Sequence, residues 1–133
     1  MNKEKLVLLK KYLELGLFSL LIQNKYMHYF DNSVIINADI DRCELNGHYE
    51  DLNYCPPLWY EELVKKSTLS PVVLIINNID KISLTEQTKF IEILKYKKIS
   101  TFNLPDNCIV VVTYSNLDSN KINEEVYSLL VKI

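Results

Sequence analysis

The stretch "VVLIINNIDKIS", Val72 to Ser83, holds the residues whose types and spacing bear most directly on chemistry. An apolar run that ends in an acidic pair can hold magnesium and activate water. Here the run ends in Asn77 and Asn78, and the first carboxylate beyond them is Asp80. An amide cannot take a proton from water and is a poor, neutral magnesium ligand. A positioned base contributes about 10²–10⁴-fold in rate, so its loss is severe. The plain reading of Asn77 and Asn78 is polar residues that end a strand and bond nearby backbone. Asp80 reads as a cap for the helix that follows rather than a metal ligand.

Other residues offer weaker chemistry. Asp39 and Asp41 form an Asp-x-Asp, but nothing nearby completes a site, which favours a solvated loop. Cys43, His48 and Cys55 can be drawn as zinc ligands, yet a fourth ligand is missing and the spacing fits no common site. Packing is the preferred reading, and no metal is expected. His28 and His48 have no evident partners. Lys95, Lys97 and Lys98 form a basic knot best explained as a solvated helix end, where cations are favourable. Tyr49, Tyr54, Trp59 and Tyr60 cluster around Pro56-Pro57. Such aromatics are enriched at protein interfaces, so these four are the candidate partner surface.

The whole chain limits what these residues can do. Its 133 residues suffice for one domain that buries roughly two thirds of its unfolded surface. With 48% hydrophobic and 24% charged residues, the composition is that of a globular protein. The net charge of −2, with dispersed basic residues, argues against a protein built to grip phosphate backbones. The three cysteines lack a CxxC pairing and suit a reducing compartment. "LGLFSLLI", Leu15 to Ile22, is much shorter than the about twenty residues of a membrane span. No cleavage site follows it, and the cytoplasm is the expected location.

The periodicity predicts the elements that position these residues. Lys3 to Leu15 is an amphipathic helix with Leu6, Leu9 and Leu13 on one face, and Gly16 stands where a helix commonly stops. "LFSLLIQ" reads either as a buried strand or as a continuation of that helix to about Phe30. "SVIINADI", Ser33 to Ile40, reads as a buried strand, followed by a polar stretch from Asp41 to Cys55. Pro56-Pro57 opens a helix through Leu63 and Val64. "PVVLIINN" is the strongest strand. A helix is expected from Leu84 to about Lys97, with Phe90, Ile91 and Leu94 on one face. "NLPDN" is a turn, "CIVVVTYS" another apolar strand, and the tail a helix that leads into a short strand. Strands without polar alternation, separated by helices, predict an α/β three-layer sandwich with a mainly parallel sheet.

With the elements in order, residues 33 to 133 resemble the core of the AAA+ ATPases, especially the MoxR and dynein-related branch. "INADIDRCELNGHYED" is similar to the second strand of that branch and the segment after it. "VVLIINNIDKI" resembles the Walker B strand, and "FNLPDNCIVVVTYSNLD" the sensor 1 strand, with Thr113 and Asn116 at the sensor positions. "INEEVYSLLVKI" falls where the family has its arginine-finger helix and fifth strand. The resemblance implies a P-loop NTPase-like fold, truncated, over a single domain of residues 1–133. It also implies that Asn77, Asn78, Asp80, Thr113 and Asn116 mark a degenerate nucleotide site.

The departures set the functional expectation. A phosphate cradle needs glycines so that backbone N–H groups can converge on the anion, and the chain has only Gly16 and Gly47. The Walker B acids, the finger arginine and the helical lid also lack counterparts. The family places its phosphate-loop strand between the fourth and fifth strands. "LFSLLIQ" is expected to fill that place, with "NKYMHYFDN" as a tight crossover instead of the loop and much of its helix. The expectation is a pseudo-ATPase with no catalytic residues and no cofactor, working as adaptor, regulator or inhibitor. Its partner would be another protein, such as an active AAA+ ATPase, or a second copy of itself. The rival readings are an NTPase with a degenerate site, another α/β enzyme, or a nucleic-acid-associated accessory factor.

Overall fold

The computed structural model describes residues 3–15, 19–116 and 121–133, without the side chains of residues 5, 6 and 12–15. The expected inward side chains of Leu6 and Leu13, and residues Gly16, Leu17 and Phe18 altogether, therefore lie outside what is described. Helix α1 (Lys3–Leu15) is followed by β1 (Ser19–Gln23), which settles the "LFSLLIQ" ambiguity in favour of a strand. A six-residue 3₁₀ turn, Asn24–Tyr29, leads to β2 (Ser33–Asn37). Then come α2 (Arg42–Asn46), the hairpin of β3 (His48–Glu50) and β4 (Asn53–Cys55), and α3 (Leu58–Ser67). Strand β5 (Val72–Asn77) is followed by 3₁₀ turns at Ile79–Lys81 and Glu86–Phe90, and by α4 (Ile91–Tyr96). The small hairpin β6 (Lys98–Ile99) and β7 (Phe102–Asn103), then β8 (Cys108–Tyr114), α5 (Glu124–Ser128) and β9 (Leu130–Lys132) complete the order.

Five strands form one parallel sheet in the order β2-β5-β8-β1-β9. Strand β1 lies between β8 and β9, the fourth and fifth strands of this sheet, where the sequence reading put it. The crossover from β1 to β2 passes over both β8 and β5 and contains a single short 3₁₀ turn.

Each strand of the sheet's centre presents apolar side chains to both faces, and two cores result. On one face Leu20, Ile22, Ile75 and Val111 pack with Leu9 of α1, Phe30 of the crossover and Ile133. On the other, Leu21, Leu74, Ile76, Val110 and Val112 pack with Leu45, Leu63, Phe90, Ile93 and Val126 from the intervening helices. The architecture is thus α/β with helical cover on both faces, compatible with a three-layer sandwich.

Two expectations need correction. Strand β2 is an edge strand, and Ile35 is 50% exposed because the thin layer of α1 and the crossover does not cover it. The helix expected from Leu84 to Lys97 is divided: a 3₁₀ turn holds buried Gln87, and only Ile91–Tyr96 is α-helical before Lys97 turns left-handed (φ 55°). Gln87 is buried because its side-chain amide binds the carbonyl of Lys121 at 2.7 Å and accepts from Asn123 N–H at 2.8 Å, anchoring α5. The polar stretch from Asp41 to Cys55, to which the sequence assigns no element, contains α2 and the β3–β4 hairpin. Elements of three to five residues are too short to show a period.

Candidate functional site at the strand ends

In an open parallel sheet, ligands bind beyond the carboxyl ends of the strands. At or next to the carboxyl ends of β1, β2, β5 and β8, polar residues bind one another. The Asn77 side-chain amide donates to Asn37 Oδ1 at 3.3 Å, joining β5 to β2 at their register partners. The Thr113 hydroxyl of β8 donates to Asn77 Oδ1 at 2.7 Å and accepts from the Asn78 backbone N–H at 3.0 Å. Asn78 Oδ1 in turn accepts from the side chain of Asn24 at 3.0 Å, just past β1. The backbone makes this closure possible: Asn78 is left-handed (φ 62°, ψ 55°), a conformation that asparagine tolerates better than most residues. Its N–H thereby turns towards β8 instead of continuing the ladder.

Asp80 belongs to a second cluster. One carboxylate oxygen accepts from Ser115 N–H at 2.9 Å; the other accepts from the Ser115 hydroxyl at 2.8 Å and Asn116 N–H at 3.0 Å. Burial pushes the Asp80 carboxyl up, but the hydrogen bonds from Ser115 and Asn116 outweigh it and hold it below its ordinary value. Asp80 therefore caps the turn after β8, not the helix after β5 as its sequence position suggests. With its lone pairs occupied by three donors, it fixes the spacing of the β5 and β8 ends.

The five positions expected at a degenerate nucleotide site are thus together. Asn77, Asn78 and Thr113 share one hydrogen-bond chain, and Asp80 and Asn116 share the other. Contrary to the plain reading, Asn77 and Asn78 send their side chains to neighbouring side chains rather than to local backbone. Sequence reasoning missed Asn24, Asn37 and Ser115. Their signal was positional: each is at or just beyond the end of an apolar strand. A cavity of about 210 Å³, lined by Asn37, Ala38, Asp39, Asn77, Asn78 and Lys81, opens beside this chain. Ligand pockets run to about 300–1,000 Å³, so it falls below the size of a nucleotide site.

The remaining candidates scatter. Asp41 caps α2 by accepting from Glu44 N–H at 2.8 Å, while Asp39 lines the small cavity. His28 stacks on Tyr29 with ring centroids 4.7 Å apart. Lys97 does not join a solvated knot. Its amine turns inward to the Ser19 hydroxyl, and burial lowers its pKa, whereas Lys95 and Lys98 flank the Tyr96 ring.

The aromatic group divides as well. Trp59 is only 8% exposed and donates its indole N–H to Leu45 O at 3.0 Å, so it is a core residue tying α3 to α2. Tyr49, by contrast, is 71% exposed and meets Tyr54 edge to face at 5.3 Å. Tyr54 stacks on Phe102 at 5.5 Å, and Phe102 contacts Tyr60 at 5.7 Å. Tyr60 donates its hydroxyl to Asn103 O at 2.7 Å. Phe102, which sequence reasoning missed, thus joins two hairpins and α3 into one aromatic row.

Fold and strand ends define a class, an α/β protein with a five-stranded parallel sheet whose carboxyl edge is cross-linked by neutral side chains. No protein-family model matches the chain, and a search of curated proteins gives no match. Among the described residues, no helix is long and apolar enough to cross a membrane.

Proposed function

We propose that this protein is a catalytically inert, AAA+-like domain that acts by binding another protein, as adaptor, regulator or inhibitor, in the cytoplasm. The observation that carries the reading is the chain Asn37–Asn77–Thr113–Asn78–Asn24. It occupies the positions where a hydrolase would aim carboxylates at magnesium and water, with amides and a hydroxyl that satisfy one another. The place of β1 between β8 and β9 supports the AAA+-like reading, because the family puts its phosphate-loop strand there. The aromatic row from exposed Tyr49 through half-buried Tyr54 and exposed Phe102 to half-buried Tyr60 supplies the surface for a partner, with exposed Leu52 at the hairpin tip.

Calorimetric titration with ATP and ADP, with and without magnesium, tests the first half: no binding is expected, and micromolar affinity restores the enzyme reading. A photo-crosslinking amino acid at Tyr49, introduced in the native host, tests the second. Capture of one discrete protein, lost with Tyr49→Ala and Leu52→Asp, is expected. Capture of a second copy would make the surface a self-association face, and a solitary monomer would count against both.

A further inference from the structure

We propose that His48, Glu50 and Cys55 form a binding site for a divalent transition-metal cation of the zinc class, on the β3–β4 hairpin. A ring nitrogen of His48, a carboxylate oxygen of Glu50 and Cys55 Sγ lie within 4.8 Å of one another. Tetrahedral zinc, with bonds of about 2.0–2.3 Å, sets its ligand atoms about 3.5 Å apart. Side-chain rotations close that difference without moving the backbone.

The hairpin register creates the cluster. His48 and Cys55 are direct cross-strand partners, and Glu50 is two residues beyond His48, on the same face of β3. Sequence spacing alone hides this, because Glu50 is revealed as a donor only by the strand's period of two. His48 Nε2 meets Glu50 Oε1 directly at 3.1 Å, a contact that a cation seated between the imidazole and the carboxylate would replace. All three residues line a larger cavity of about 740 Å³, bounded also by Gly47, Pro56, Pro57 and Trp59.

The backbone on either side holds the ligands in place. Gly47, at φ +84°, takes a conformation closed to other residues; a Cβ there would meet Cys55 O at 2.5 Å and Tyr54 Oη at 2.7 Å. Tyr54 donates its hydroxyl to Asn46 O, tying the hairpin to the end of α2. One thiolate, one imidazole and one carboxylate favour zinc, cobalt or related ions over magnesium and calcium, which prefer all-oxygen sets. Three protein ligands leave a fourth tetrahedral position for water. Cys43 lines the same cavity but lies outside the cluster, which excludes it from the ligand set. The site is separate from the strand ends and does not depend on the function proposed for them.

Cobalt(II) added to the reduced protein reports a thiolate ligand through a sulphur-to-metal charge-transfer band in the near ultraviolet. The band is expected to appear in the wild type and in Cys43→Ser, and to vanish on addition of zinc. Cys55→Ser should abolish it. His48→Ala and Glu50→Gln should each weaken cobalt affinity by at least about tenfold, the lower end of what even outer-shell losses cost. Circular dichroism of each variant establishes that the exposed hairpin tolerates the change. The absence of a band in the folded wild type, a band that persists in Cys55→Ser, or one that requires Cys43 would overturn the assignment.

Discussion

Asn24, the first residue after β1, donates its side-chain amide to Asn78 Oδ1 at 3.0 Å, across the end of the β8 strand that separates β1 from β5. The two residues are 54 positions apart in sequence, and their bond closes the gap in which a parallel sheet would ordinarily receive a ligand. Removing it with Asn24→Ala should cost about 1 kcal/mol, the usual net worth of one partly buried hydrogen bond. Asn78→Gly keeps the left-handed backbone and should cost a similar amount. Asn78→Ala should cost roughly 1 kcal/mol more than Asn78→Gly, because a Cβ is strained at φ 62°. Urea denaturation of the single and double variants measures the coupling between the two side chains, and additive losses would show that the bond contributes nothing.

Asp80 should make stability depend on acid. Its folded pKa is lowered, so its contribution is complete above the unfolded value of about 3.9 and disappears as pH falls through the lower folded value. Asp80→Asn should lower stability at neutral pH and flatten the decline in that acidic window. Urea midpoints between pH 6 and pH 2 check this, and parallel curves for the two proteins would refute it.

The hairpin tip carries avoidable strain. Asp51 and Leu52 both have positive φ, 48° and 71°, as a two-residue type I′ turn requires. Leu52 is 97% exposed and offers no packing in return. Leu52→Gly should therefore raise stability, by up to about 1 kcal/mol. Gly47→Ala should do the opposite, costing about 1–3 kcal/mol, because its backbone lies in a region reserved for glycine. Thermal melts of both variants decide the signs.

The three thiols should react at different rates. Cys43 is exposed and Cys55 and Cys108 are each partly exposed, but desolvation pushes the Cys108 thiol up to about 11. Since only the thiolate is nucleophilic, alkylation of the folded protein at pH 8 should label Cys43 first and Cys108 more slowly than Cys55. Mass spectrometry of the alkylated peptides follows the order; early labelling of Cys108 would contradict it.

Much of the fold was legible in the chain. The unbroken apolar runs Val72–Ile76 and Ile109–Val112 announce strands covered on both faces, and each lies in the sheet's centre. Pro57 immediately precedes α3, as a proline at a helix start suggests. The short elements were not legible. The tip of the β3–β4 hairpin has neither Asn-Gly nor Asp-Gly, so the strongest local hairpin signal is missing. Trp59 was misjudged because an aromatic beside two prolines has no signature that separates core from surface; its indole points inward only because α2 supplies a carbonyl there.

Local chemistry alone settled which groups are available: apolar strands, no second glycine beside Gly16, and amides in place of the acidic pair. Those are properties of residue type and short-range spacing, readable without a partner. What those groups face was decided by tertiary structure. Parallel register joined Asn37 to Asn77, insertion of β1 beside β8 brought Asn24 to Asn78, and antiparallel pairing set Cys55 opposite His48. The first two come from the packing of strands distant in sequence, the third from a short hairpin whose tip carries no Asn-Gly or Asp-Gly signal, so no local pattern announces any of them.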